Sequence, residues 1–176
     1  MNLLKFQYIF ALTFLFQTVS FGQNWVSHES EQQINDLVET STELLMATDA
    51  GLVVMNKATL SKTLYNTNNS SLTNNHIETI TEATNGDIWI GTYDVSIARF
   101  DGVDFVDFMV PPNPEILYWT NLFDVEIAAN GDFWLGTSVG IVRKQGTNWI
   151  LYDENDLGPD FFEIWDIEIN ASGDVF

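Results

Sequence analysis

The side chains able to do chemistry are few and scattered. His28 and His76 are the two histidines. Neither stands near a Ser, a Cys or the other His at a spacing that builds a nucleophile–base pair or a zinc site. Each reads as an ordinary surface or turn residue. The chain has no cysteine, which removes disulfides, thiolate nucleophiles, Cys-ligated metal and an N-terminal lipidated cysteine. What remains is oxygen and aromatic rings. Asp153, Asn155, Asp156 and Asp160 form an oxygen-rich stretch of the kind that holds Ca²⁺. It departs from an EF-hand, because Leu157 stands where an acid belongs and Ile164 where the final Glu belongs. No cofactor is therefore expected, and Ca²⁺ at this stretch is the one alternative that the residues leave open. Tyr93-Asp94 and Tyr118-Trp119 set aromatic rings beside acids, the second pair just after the stiff Pro111-Pro112-Asn113-Pro114-Glu115. Such pairs can stack on a sugar ring and bond its hydroxyls.

The elements that must position these residues are announced by a repeat. Asn85-Gly86-Asp87-Ile88-Trp89-Ile90-Gly91-Thr92 returns as Asn130-Gly131-Asp132-Phe133-Trp134-Leu135-Gly136-Thr137, 45 residues on. Ser172-Gly173-Asp174-Val175-Phe176 begins a third copy, and Ser41-Thr42-Glu43-Leu44-Leu45-Met46-Ala47-Thr48 is a degenerate earlier one. Strand-forming Ile, Val, Thr, Phe and Trp dominate each unit, and no stretch sustains a helical period. In the second unit the pattern predicts strands over 77–83, 87–92, 95–100 and 104–109. Asn85-Gly86 and Asn130-Gly131 read as hairpin turns with both residues at positive φ. A four-stranded antiparallel unit recurring at this period predicts an all-β, partial β-propeller of about three and a half blades. A β-sandwich would not repeat its motif in register. The units run over about 34–75, 76–121, 122–163 and 164–176, the last incomplete.

The repeat assigns mechanical roles. A central blade strand is covered on both faces, so it should run continuously apolar, as Ile88-Trp89-Ile90 and Phe133-Trp134-Leu135 do. Trp89 and Trp134 are expected as wedges between blades. Gly91 and Gly136 are expected where strands crowd too closely for a side chain. Gly86 and Gly131 belong to the turns, and Thr92 and Thr137 close the motif. The Trp165-Asp166 dipeptide lies in a first strand and has no Gly-His partner, so it is not a WD signature.

The formal net charge is −19. A surface this negative repels nucleic-acid phosphates and anionic lipid headgroups. Cations, neutral glycans or basic protein patches are the partners it permits. At the N-terminus, Lys5 precedes the short apolar run from Phe6 to Phe16, and Ser20-Phe21-Gly22 offers the small residues of a cleavage site. Residues 1–22 are expected to be a signal peptide cut after Gly22, which places the mature chain in the periplasm, outside the cell or on its surface. The run is too short to span a bilayer, and no longer one follows. Asn24-Trp25-Val26-Ser27 is similar to Asn148-Trp149-Ile150-Leu151, so 24–28 reads as a stray outer strand. Because the repeat breaks off inside its fourth unit, the expectation is the N-terminal fragment of a longer chain.

Three stretches together carry a family likeness. They are Asn69 to Ile77, the Asn85–Thr92 motif, and Ala98-Arg99-Phe100-Asp101. They resemble the repeat of the two component regulator propeller family, which has a leucine-containing turn, a W-I-G-T strand and a Gly-Leu-x-Arg strand. Ser138-Val139-Gly140-Ile141-Val142-Arg143 fits the last part well and Thr48 to Val53 fits it partly. Val95-Ser96 departs, standing where the family has Gly-Leu. The resemblance implies an exported module for binding or sensing, of a small molecule or glycan. It also implies further propeller and kinase regions, or an export tag, elsewhere in the same parent chain. Two rivals are a propeller lyase, for which His76 would have to serve, and a purely structural surface protein. In an up-and-down blade, the long segments 66–75, 111–121 and 153–163 should share one end with the strand-two-to-three turns, making that end the expected place for a ligand.

Overall fold

The computed structural model describes residues 33–112, 120–158 and 163–176. The first sheet contains β1 (Ile34–Glu39), β2 (Glu43–Thr48), β3 (Gly51–Asn56) and β4 (Lys62–Tyr65). The second contains β5 (Ile77–Glu82), β6 (Ile88–Thr92), β7 (Ile97–Phe100) and β8 (Phe105–Met109). The third contains β9 (Leu122–Ile127), β10 (Phe133–Thr137), β11 (Gly140–Gln145) and β12 (Asn148–Tyr152). One helical turn, α1 (Glu154–Leu157), follows. Each sheet is antiparallel with its strands in chain order, and β1, β5 and β9 adjoin one another. The three sheets therefore turn their first strands to a common inner edge. This is the blade arrangement of a partial β-propeller. Residues 163–176 begin a fourth unit, with Ile167 buried and Ile169 bridged to Val175.

Two apolar layers hold the blades together. Leu45, Ala47 and Leu52 of the first blade meet Ile77, Ile80 and Ile90 of the second. Val95 and Ile97 of the second meet Leu122, Val125 and Leu135 of the third. Alternate residues of each central strand serve opposite layers, as a strand buried on both faces requires. Gly91 and Gly136 lie at the closest approach. A Cβ on Gly91 would stand 2.4 Å from Leu122 Cδ2, and one on Gly136 would stand 2.5 Å from the Ile164 carbonyl oxygen. The two tryptophans are less deeply placed than expected. Trp89 packs edge-on against Phe133, centroids 4.8 Å apart, in the second layer. Trp134 is half-buried, parallel to Tyr152 at 6.2 Å, with the Arg143 guanidinium 4.9 Å from its ring centre. The wholly buried wedges are their neighbours Ile90 and Leu135. A large indole reaches past the narrow contact that a branched aliphatic side chain fills.

The Asn-Gly turns also differ from the expected geometry. Ala83 and Asp87 close a three-residue loop through Ala83 N–H to Asp87 O, while Gly86 N–H donates to Ala83 O. Only the glycine is left-handed, at φ 85° for Gly86 and 83° for Gly131. The asparagine serves as a side-chain lock: Asn85 Oδ1 accepts from Asp87 N (3.1 Å), and its amide donates to Asp87 Oδ2 (2.8 Å). The threonine that ends the motif closes the next turn, Thr137 Oγ1 donating to the Gly140 carbonyl at 2.7 Å. Asp132 is buried and receives Arg143 through Nε and Nη2. That bond holds its carboxyl below the usual range.

Polar bonds tie the inner strands. Asp36 Oδ2 accepts from Ile80 N–H (2.8 Å) and from the Thr79 hydroxyl (3.2 Å). Thr79 also lies 3.0 Å from Asp124 Oδ1, and Asp124 Oδ2 accepts from Ile167 N–H at 2.8 Å. Each first strand has an irregular register next to this position. A carboxylate of one blade thus satisfies an N–H of the next, where the ladder slips.

Two measurements check this account. Gly136→Ala must push against a backbone carbonyl and should cost about 3 kcal/mol in denaturant unfolding. Gly91→Ala meets side chains that can yield, as the neighbours of Ala47 do in the first blade, and should cost less. The second concerns pH. Burial raises the Asp124 carboxyl, against its hydrogen bonds, and burial with the nearby Asp124 charge raises Glu126. An acid raised in the folded state adds stability that is complete below its unfolded pKa and lost as pH rises through its folded value. The melting temperature should therefore climb on acidification from neutrality toward the ordinary carboxylate range. Glu126→Gln should flatten that climb; an unchanged profile would refute the assignment.

Candidate functional site

The two ends of the blades are chemically distinct. At one, the Asn-Gly turns and the β7–β8 turn meet: Thr40, Gly86, Asp101 and Gly102 line a single shallow hollow. At the other lie the starts of the inner strands, the β2–β3 and β6–β7 turns, and a cluster bridging the first two blades. Asn35 donates its amide to Asp49 Oδ1 (3.0 Å) and to the Ile77 carbonyl (2.9 Å). His76 Nε2 is 2.9 Å from Glu78 Oε1 and 3.4 Å from Asp49 Oδ1. The Tyr93 ring lies over His76, centroids 5.1 Å apart, and Tyr93 N–H donates to the His76 carbonyl. His76 is therefore the hub of a polar cluster rather than an isolated turn residue.

Tyr93 owes its position to a longer turn. In the first and third blades this turn ends with Thr48 paired to Gly51 and Thr137 paired to Gly140. In the second, Thr92 N–H reaches Ser96 O, one residue further on. Val95, where the family pattern has glycine, is left-handed at φ 61° and wholly buried. A β-branched residue there is strained, and strain of this kind is kept where surrounding structure imposes it. Its side chain anchors the turn in the second apolar layer while Tyr93 and Asp94 face outward. Asp94 takes the Thr92 hydroxyl at 2.5 Å, so its carboxylate also closes its own turn.

The remaining sequence candidates fall apart in space. Tyr118, Trp119 and Asp160 lie outside the described residues, as do His28 and segment 1–32. Asp153 is the N-cap of α1 and accepts from Asn155 through backbone and side chain, while Asp156 is exposed on that turn. Among the described residues, no three His, Asp or Glu side chains converge as a metal site. The 66–75 segment is not the open loop that its length suggests. Leu72 is buried between the first two blades, and Ser71 donates through N–H and hydroxyl to Asp104, in the turn at the other end. Leu72 is the leucine of the resemblance, and its role is packing.

A cavity of about 440 Å³ runs between β1, β5, β9 and residues 165–168. Six carboxylates line it, from Asp36, Glu78, Asp124, Glu126, Asp166 and Glu168, with no Lys or Arg. Phe123 and Trp165 are stacked in its wall, centroids 4.0 Å apart and tilted by 21°, with Trp165 64% exposed. This wall was legible in principle. Ile34-Asn35-Asp36, Ile77-Glu78-Thr79, Leu122-Phe123-Asp124 and Ile164-Trp165-Asp166 recur in register, and the middle residue of each lines the cavity. The eye goes to the tryptophan motif instead, because these short triplets share only an aliphatic and a small polar residue.

Residues 71–94 match the two component regulator propeller family. No curated protein matches the sequence. Among solved structures, the chain is similar to the extracellular domain assigned to the hybrid two component system BT3049 of B. thetaiotaomicron. That likeness has a TM-score of 0.64 and 22% identity, over 82% of this chain and 20% of that one. The corresponding domain of BT4673 from the same organism gives a TM-score of 0.51 at 16% identity, over 81% and 25%. YCF48 bound to a D1 peptide gives 0.56 at 15% identity, over 74% and 43%. The chain thus spans between a fifth and under half of the length of these structures, and the likeness is one of fold. The chain is a partial β-propeller in which residues 71–94 match the model of the two component regulator propeller family.

Proposed function

We propose that this chain is the ligand-receiving propeller of an extracytoplasmic sensing module. In this reading it is exported by its N-terminal signal and belongs to the outer part of a longer sensor or surface protein. The observation that carries the reading is where the family repeat sits. Residues 71–94 span the polar hub at His76, the inner strand with Glu78, and the lengthened turn that holds Tyr93 outward. A rigid sheet presenting a strained, aromatic-tipped turn beside a hydrogen-bonding cluster is built to recognise rather than to move. The formal charge of −19 directs it to neutral or cationic ligands, with saccharides the neutral class that aromatic faces and carboxylates serve best.

A catalytic reading, as a propeller lyase, draws on the His76–Glu78 pair. It demands turnover that His76→Gln abolishes. The binding reading demands affinity without turnover. Calorimetry of the protein against plant and host oligosaccharides should give saturable heat for at least one class. Tyr93→Ala should weaken it about tenfold at unchanged melting temperature, the worth of one stacked ring. Trp119→Ala tests the second aromatic candidate in the same way. No heat from any saccharide would remove the sugar version, leaving a structural surface role.

A further inference from the structure

The sequence holds two Asn-Gly dipeptides, and they fall at the same corner of neighbouring blades. Asn85-Gly86 joins β5 to β6, and Asn130-Gly131 joins β9 to β10. An asparagine followed by glycine carries its own reaction, because the glycine has no side chain to hinder attack by its nitrogen on the asparagine Cγ. The local fold governs whether that attack occurs. In both turns the asparagine Oδ1 accepts from the N–H two residues on, at 3.1 Å from Asp87 and 3.0 Å from Asp132. In both, the glycine N–H is committed to a carbonyl at 2.8 Å, of Ala83 or of Ala128. Reaction therefore requires the turn to open, and its rate follows the free energy of that local opening.

The two turns differ in what opening must break. The Asn130 amide donates to Asp132 Oδ2 at 3.2 Å, and that carboxylate is held from another strand. Arg143 of β11 reaches it through Nε and Nη2, Gln145 donates to it at 3.2 Å, and its side chain is 7% exposed. The Asn85 amide donates to Asp87 Oδ2 at a shorter 2.8 Å, but the Asp87 side chain is 38% exposed. Its basic neighbour Arg99 stands 3.6 Å away and gives Nε and Nη2 to Asp107 instead. The shorter amide contact does not win. Asp87 moves with its turn, whereas Asp132 is anchored by charge-assisted bonds that burial strengthens.

We propose that Asn85 is a site of spontaneous deamidation in the folded protein and that Asn130, its counterpart in the next blade, is protected. The Gly86 nitrogen forms a bond to Asn85 Cγ, the Cγ–Nδ2 bond breaks, and ammonia leaves with the proton given up by the glycine nitrogen. Water then opens the five-membered imide at one carbonyl or the other, leaving aspartate or isoaspartate. Nothing is oxidised or reduced. Either product sets a carboxylate where Asp87 Oδ2 had an amide donor, in a chain already at formal charge −19. Isoaspartate also lengthens the backbone of a tight turn whose Gly86 lines the hollow shared with Thr40, Asp101 and Gly102. The modification alters the end of the blades opposite Tyr93.

Peptide mapping by mass spectrometry tests this on the full chain, held folded at mildly alkaline pH and body temperature beside a sample in guanidinium. In denaturant the two sites should convert at closely similar rates, since both read Asn-Gly-Asp. In the folded protein Asn85 should convert about tenfold faster than Asn130, the worth of one hydrogen bond to a charged group. Gln145→Ala, at an exposed residue, should raise the Asn130 rate about threefold with the melting temperature retained. Arg143→Gln should raise it further, toward the rate of Asn85, while Asn85 itself is unchanged. Equal folded rates, faster conversion at Asn130, or an intact Asn85 in a folded sample whose denatured counterpart has reacted would each overturn the proposal. An Asn130 rate unmoved in both variants, or a rise at both sites together, would overturn the Asp132 anchor as the cause of protection.

Discussion

Everything in this molecule depends on how closely one blade can lie against the next. At Gly91 and Gly136 the approach is so tight that even a methyl group would enter a neighbouring atom's space. The apolar layers on either side, centred on Ile80 and Ile90 in one and on Val125 and Leu135 in the other, are the consequence. Close packing of this kind transmits geometry. Once the central strands are fixed, the inner strands have one place to go, and their slipped registers are repaired by carboxylates reaching across from the adjacent blade. The same constraint that excludes a side chain at two glycines therefore selects acids along the inner edge.

That selection gives the cavity its character. Asp36 and Asp124 are there for the fold, as acceptors for backbone N–H groups that the ladder leaves over. Glu126 bonds the Thr81 side chain of the second blade and Glu78 pairs with His76 of its own, and with Asp166 and Glu168 they gather in the same space. Carboxylates brought together in partial burial repel one another, and burial holds the Asp124 and Glu126 groups above the ordinary carboxylate range. Three acids elsewhere are paired with bases, Asp132 with Arg143, Asp107 with Arg99 and Glu39 with Lys57, whereas no Lys or Arg lines this cavity.

The fold was plainly legible in the sequence, and the reasons are physical. A motif that alternates between two buried layers cannot vary freely, so Ile88-Trp89-Ile90-Gly91-Thr92 and its copy announce themselves. The second-blade strands fall within two residues of the expected bounds, the largest shift being at β7, whose start moves to Ile97 because Val95 belongs to the turn. Less was legible where a residue's role depends on another blade. His76 looks solitary in sequence because Asp49 comes from a different repeat and Tyr93 from the far end of the next hairpin, leaving only Glu78 close along the chain. Phe123 and Trp165 are 42 positions apart and meet only when two inner strands adjoin. The 66–75 segment reads as a loop because it is rich in Asn and Ser, and nothing local says that Leu72 is buried between sheets. Proximity between repeated blades is a property of the period, whereas sequence inspection favours neighbours along the chain.

The lengthened β6–β7 turn carries one more implication. Its side chain at Val95 is sunk in the interblade layer while Tyr93 rests on His76, so burial fixes one side of the turn and surface contacts fix the other. The equivalent turns of the other blades, Asp49-Ala50 and Ser138-Val139, are one residue shorter and close directly between Thr48 and Gly51 and between Thr137 and Gly140. Such turns behave as interchangeable cassettes on a common frame. A lineage can rewrite what this rim displays, one hairpin tip at a time, without renegotiating the packing that keeps the blades together.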